Sequence, residues 1–252
     1  MPVMDEFKEE RRAVKDAGFK ERLKYFWYYN KWYVVGGIIA LIIVSAFIHD
    51  MVSRKDIVYD AALLNCTANL EAMDEYNDRF LADMGIDTKK NTLSMDTSLK
   101  ISFGVMDEIA ITSAEKLSAY VAAAMLDTIT AKDELFENYA NAGIFADLRD
   151  VLSDEEIKKY EPYFYYVDED VVRQVQLAET QMDSSIRPKI PDPDKPELME
   201  EPVPVGIYID DCSDFLNVYT FTEAEHVVVG ILQKAPNTEM TLSFVNYIFE
   251  KQ

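Results

Sequence analysis

The sequence predicts an α/β domain carried behind one membrane-spanning helix, and three observations predict it. An uncharged run from Trp32 to Ile48 follows a basic stretch rich in aromatic residues. Beyond it, strand-like and helix-like segments alternate in quick succession, the pattern of an α/β fold. The acidic residues also fall unevenly along the 252-residue chain: residues 1–31 hold eight Lys/Arg and six Asp/Glu, and residues 50–252 hold seventeen and forty.

The run WYVVGGIIALIIVSAFI, rising about 1.5 Å per residue, covers most of a ~30 Å hydrocarbon layer. Extending it to Val52 admits His49 and Asp50, which belong at the far interface. On the near side Trp27, Tyr28, Tyr29, Trp32 and Tyr33, with Tyr25 and Phe26, form an interfacial belt of rings that bury a face and keep a polar tip wet. Lys8, Arg11, Arg12, Lys15, Lys20, Arg22, Lys24 and Lys31 precede the run, and only Arg54 and Lys55 closely follow it. Because positive flanks stay in the cytoplasm, the sequence predicts a cytoplasmic basic, amphipathic tail (1–31), a transmembrane helix in the lipid bilayer (32–52) and an extracytoplasmic domain (53–252) of a single-pass membrane protein. Two other readings exist. A buried core helix fits poorly with the aromatic edge, and a cleaved signal peptide, cut near Val44-Ser45-Ala46, would have an unusually long charged region.

So acidic an outer domain repels nucleic acid, because phosphate binding needs clustered Lys/Arg. Its two cysteines, Cys66 and Cys212, permit one disulfide on the side of the membrane where disulfides persist; the other reading is two small buried residues. Asn65-Cys66-Thr67 matches a glycosylation acceptor.

The elements follow in order. Asp56–Asn65 reads as a strand buried on both faces. Thr67 is placed to cap a helix with Leu70, Met73, Tyr76, Phe80, Leu81 and Met84 on one side, ending at Gly85. Residues 91–103 alternate as a strand or hairpin, and Thr112 with Glu115 form a capping box for a helix through Met125. A short strand (126–130), a helix from Lys132 to Ala142 closed by Gly143, and a second capping box at Ser153 and Glu156 come next. Residues 168–203 read as acidic and turn-rich, with a Pro-rich surface loop at about 183–204 that separates two subdomains. Strands at 203–209 and 227–232 and a helix at 237–249 complete the chain.

No catalytic residue, cofactor site or metal site is predicted. Asp210, Asp211 and Asp214 lack the glycine and distal glutamate of a calcium loop. Glu223 and His226 have the spacing of a carboxylate–histidine metal pair, in one copy only. With one histidine, His226, in residues 53–252 and no G-x-S-x-G elbow, nucleophilic catalysis has little support, so the chain is not expected to be an enzyme. The aromatic run Tyr160–Tyr166 points both ways from a strand, so half of it serves the core and half is available to a cleft or partner surface.

The stretch Ala122–Leu152, with its turn at Gly143, Phe145, Asp147 and Leu148, and the later PVGIYIDD (204–211), VVVGIL (227–232) and terminal helix resemble blocks of type II periplasmic solute-binding proteins. That resemblance implies two α/β lobes with a ligand cleft and a hinge. The chain between the blocks is shorter than in full-size members, so the second lobe is expected to be small or degenerate. The function expected is a membrane-anchored extracytoplasmic binding or accessory domain taking a small-molecule ligand or an envelope protein partner. The alternative is a structural or interaction protein whose cleft is filled.

Overall fold

A computed structural model describes residues 18–102, 107–181, 188–222 and 224–250. The chain divides into two compact units, residues 1–54 and 55–252. Residues 1–17 of the expected cytoplasmic tail lie outside the described residues.

Among the described residues, the first unit holds one continuous helix, α1 (Phe19–Ser53). Within it Asn30–Met51, 22 residues, is long and apolar enough to cross a membrane, and none of that window is buried. The helix thus runs through the expected tail–membrane boundary at residue 32. Trp27, Tyr28, Trp32 and Tyr33 are all exposed, and the side chain of Tyr29 lies outside the described ones. At the other end Arg54 pairs with Asp50 at 2.9 Å, one turn away, which offsets the acid that terminates the apolar run.

The second unit has three layers. A six-stranded sheet runs in the order β3-β1-β4-β8-β6-β5, from β1 (Asp56–Leu63), β3 (Asn91–Asp96), β4 (Thr128–Lys132), β5 (Phe164–Asp168), β6 (Pro202–Tyr208) and β8 (Val227–Ile231). Strand β1 pairs in parallel with β3 and β4, whereas β8 is antiparallel to both β4 and β6, and β5 is antiparallel to β6. A separate antiparallel ribbon joins β2 (Cys66–Ala68) to β7 (Tyr219–Phe221).

Alternate residues of each strand enter two cores. On one face Tyr59, Ala61, Leu63, Val229 and Ile231 meet α2 (Leu70–Asp83), α5 (Leu148–Val151), α6 (Asp154–Tyr160), α8 (Ser213–Val218) and α9 (Thr238–Glu250). Here Tyr76 makes edge contacts with Phe215, Tyr219, Phe244 and Tyr247, and Tyr59 lies 4.5 Å from Phe244 between ring centres. On the other face Ala62, Ile129, Ala131, Val205 and Val228 meet α3 (Glu108–Ala122), α4 (Asp133–Asn141) and α7 (Glu169–Gln181). Burying each such aliphatic or aromatic side chain stabilises the fold by about 1.5–3 kcal/mol, an upper figure that chain entropy offsets.

Several boundaries differ from expectation for identifiable reasons. Asn69, not Thr67, caps α2, accepting from the amides of Glu71 and Ala72, because Thr67 is engaged in the ribbon. Asp107 caps α3 a turn before the expected Thr112, which lies inside the helix. The Ser153–Glu156 capping box is formed. The stretch after residue 168 opens with helix α7, seated by the Asp168 carboxylate, which accepts from Asp170 and from Glu200 and Glu201 of the returning loop. That loop separates no subdomains: the amide of Tyr166 donates to the Pro193 carbonyl at 3.3 Å, so the prolines cover the β5 edge of the same sheet. The second lobe implied by the resemblance is absent among the described residues, since β5 and β6 add to the first sheet.

Candidate functional site

The antiparallel insertion of β8 leaves β1, β4 and β6 running the same way, so their carboxyl ends share an edge of the sheet. In open α/β sheets this is the edge at which ligands bind. An open depression of about 450 Å³ lies there, lined by Tyr163, Phe164, Tyr166 and Tyr208 and by Glu161, Asp194, Asp210 and His226.

Each lining group is set by its element. Tyr208 ends β6, pointing to the face opposite Ile207; its ring centre is 5.7 Å from that of Tyr165 and 5.7 Å from that of His226. Asp210 lies in the turn that follows. One of its oxygens accepts from the Val227 amide at 2.8 Å, which fixes the start of β8, and the other meets His226 Nδ1 at 2.7 Å. Both side chains of this pair stay partly exposed. Asp194 reaches the site from the Pro-rich loop, close enough for its charge to act on the Tyr208 phenol.

The electrostatics follow. The hydrogen bond to Asp210 raises the His226 pKa above its usual value against the small cost of burial, and the charges of Asp210, Asp133 and Glu225 act in the same direction. Burial, then the neighbouring Asp194 carboxylate, raise the Tyr208 pKa and keep its phenol neutral. Among the described residues, three carboxylates and one imidazole line the depression, and no lysine or arginine does.

The expected residues divide accordingly. Tyr160 and Tyr165 are core, whereas Tyr163 and Tyr166 reach the depression. Asp210, Asp211 and Asp214 do not converge: Asp214 pairs with Arg79, and no group of three or more His, Cys, Asp or Glu is placed to hold a metal ion among the described residues. Glu223, half of the suggested metal pair, lies outside the described residues. Cys66 and Cys212 are both buried and form no disulfide, and burial pushes the Cys66 thiol up to about 12. Asn65 is half-buried, its amide group donating to the Ile101 carbonyl at 2.7 Å and accepting from the Ile101 amide at 2.8 Å, a poor glycan acceptor. Asp194, Glu161 and Tyr208 were not foreseen, because only the fold-back of the Pro-rich loop brings Asp194 to the β6 terminus.

A second hollow, of about 530 Å³, is floored by Phe145, Val167, Val203 and Val205. Its rim cation Arg173 is already paired with Glu201 at 2.8 Å.

His226 with Asp210 supplies the base and orienting half of a nucleophilic triad. Among the described residues, however, no serine, threonine or cysteine hydrogen-bonds the imidazole.

No family model matches the chain, and no curated protein matches it. Among solved structures it is similar to the periplasmic binding protein AgtB of A. tumefaciens R10, in complex with agropinic acid, at 13% identity, over 76% of this chain and 78% of that one, with a TM-score of 0.33.

Proposed function

We propose that residues 55–250 are a non-catalytic binding module, held to the membrane by α1 with the module extracytoplasmic, and that the depression around His226 is its recognition site. The observation that carries this reading is the convergence of four aromatic rings and three carboxylates at the carboxyl edge of the sheet. The excess of basic residues before the apolar run supports the orientation.

The filled cores on both faces, with no second lobe among the described residues, favour a variant of this reading in which the occupant is part of an envelope protein and not an enclosed solute. A screen of the full chain in detergent tests the site itself. Amines, amino acids, sugars, carboxylates and divalent cations are titrated while amide exchange is followed at residues 208–210 and 226–227. Saturable protection there supports the reading, and silence across all probe classes ends it. Alkaline extraction and protease accessibility of intact cells test the anchor and its orientation: release by alkali, or a protected module, overturns them.

A further inference from the structure

Resting on that reading, we infer that the depression takes an organic cation, an ammonium or guanidinium group, and that His226 is an internal competitor whose protonation weakens the hold.

The composition of the site supports the first half. A cation over the face of a tyrosine is attracted by the ring quadrupole, more so where carboxylates stand nearby and solvent is partly excluded. Tyr163, Tyr166 and Tyr208 offer the rings, and Asp194 and Asp210 offer the charge from two separate turns. Asp210 is held by its bond from the Val227 amide, and Asp194 stands close enough for its charge to act on Tyr208. Each carboxylate has more acceptor positions than one such bond uses, and no lysine or arginine lines the depression among the described residues.

The second half follows from the 2.7 Å contact between His226 Nδ1 and Asp210. When protonated, the imidazolium donates to Asp210 and neutralises one of the charges an incoming cation needs. When neutral, it leaves the site more negative. Among the described residues, the groups acting on the imidazole are acidic or aromatic: Asp210, Asp133 at the start of α4, the adjacent Glu225, and Tyr208, its ring inclined at 70°. They hold the proton on His226 to a higher pH than usual, so the competitor is released only as pH rises past the ordinary imidazole range.

A free amine and a basic side chain of a partner protein share this chemistry. Calorimetric titration of the full chain in detergent with butylammonium, agmatine and a capped peptide holding one lysine separates them. Saturable binding is expected for the cations, at least about fivefold tighter at pH 8 than at pH 5.5, with butanol and acetate silent. The peptide binding tighter than butylammonium assigns a partner's side chain, and equal binding assigns a free amine. Asp194→Asn and Tyr166→Ala are expected to weaken binding about tenfold, and His226→Gln to retain binding with a flat pH profile. The melting temperature of each variant checks that it folds. Cation binding indifferent to these substitutions, or equally tight at both pH values, overturns the inference. A sugar or carboxylate occupying the depression also overturns it while leaving the binding reading intact, and silence of every probe removes both.

Discussion

The carboxylate of Asp127 fixes the start of the last helix: one of its oxygens accepts from the Asn237 amide at 2.9 Å, and Asn237 in turn caps α9 by accepting from Met240. The other oxygen accepts from the amide of Asp60 in β1 at 2.9 Å. Asp127 is 2% exposed, so replacing it by alanine leaves both amides without their acceptor. Asp127→Ala is expected to cost about 3 kcal/mol in urea unfolding, and Asp127→Asn less, since one acceptor survives.

The stacked rings of Phe136 and Phe145, 4.5 Å apart and within 8° of parallel, lie against Gly206 in β6 and Gly230 in β8. A methyl at Gly230 would stand 2.6 Å from Phe145, and one at Gly206 would stand 2.7 Å from Val228 and 2.8 Å from Phe136. Both rings are buried, so neither can swing clear. Gly230→Ala and Gly206→Ala should each lower stability by about 1–3 kcal/mol, measured as a fall in thermal midpoint, and should not be tolerated together.

Burial, with Lys100 only partly opposing it, holds the Cys66 thiol far from ionisation. Since the thiolate is the reactive form, iodoacetamide at pH 8 should leave Cys66 unmodified in the native protein and label it once urea unfolds the domain. Fast labelling of Cys66 under native conditions would show that the β2–β7 ribbon opens easily.

His226 should titrate above 6.5, its ordinary value, because its charged form gains Asp210. The folded-state pKa being the higher one, the pair's stabilisation is complete below the unfolded value and is lost as pH rises through the folded value. For a pair this exposed the amount is at most about 1 kcal/mol. Ring-proton chemical shifts should place the midpoint above 6.5 in the native protein and bring it back toward 6.5 in Asp210→Asn.

Much of the fold was legible because it depends on local pattern. The continuous apolar runs of β1 and β8, the heptad-like spacing of α2 and the capping box at Ser153 are each visible within a dozen residues. Helix α7 was not. Its Val171, Val172 and Val175 favour strands, and its seat is made by Asp168 together with amides about thirty residues further on. The single sheet was hidden for a related reason: nothing local distinguishes β5 and β6 as neighbours of β8 from the strands of a second lobe. At the site, the run around Tyr163 and the acids near Asp210 were readable as residue types. Their meeting with Asp194 is a property of the loop's return path, which leaves no mark in the local sequence.

Strand β8 stands between β4 and β6, yet it is drawn from residues 227–231. Until it arrives, β3, β1 and β4 form one fragment and β5 and β6 another, with no backbone hydrogen bond between strands of the two, and each exposes an unpaired inner edge. The keystone of this sheet is therefore synthesised after every strand it joins. The domain must stay unassembled while most of its length emerges, and then close from the centre outward in one late, long-range step. A chain interrupted before residue 227 would leave two sticky half-sheets and not a smaller version of the fold.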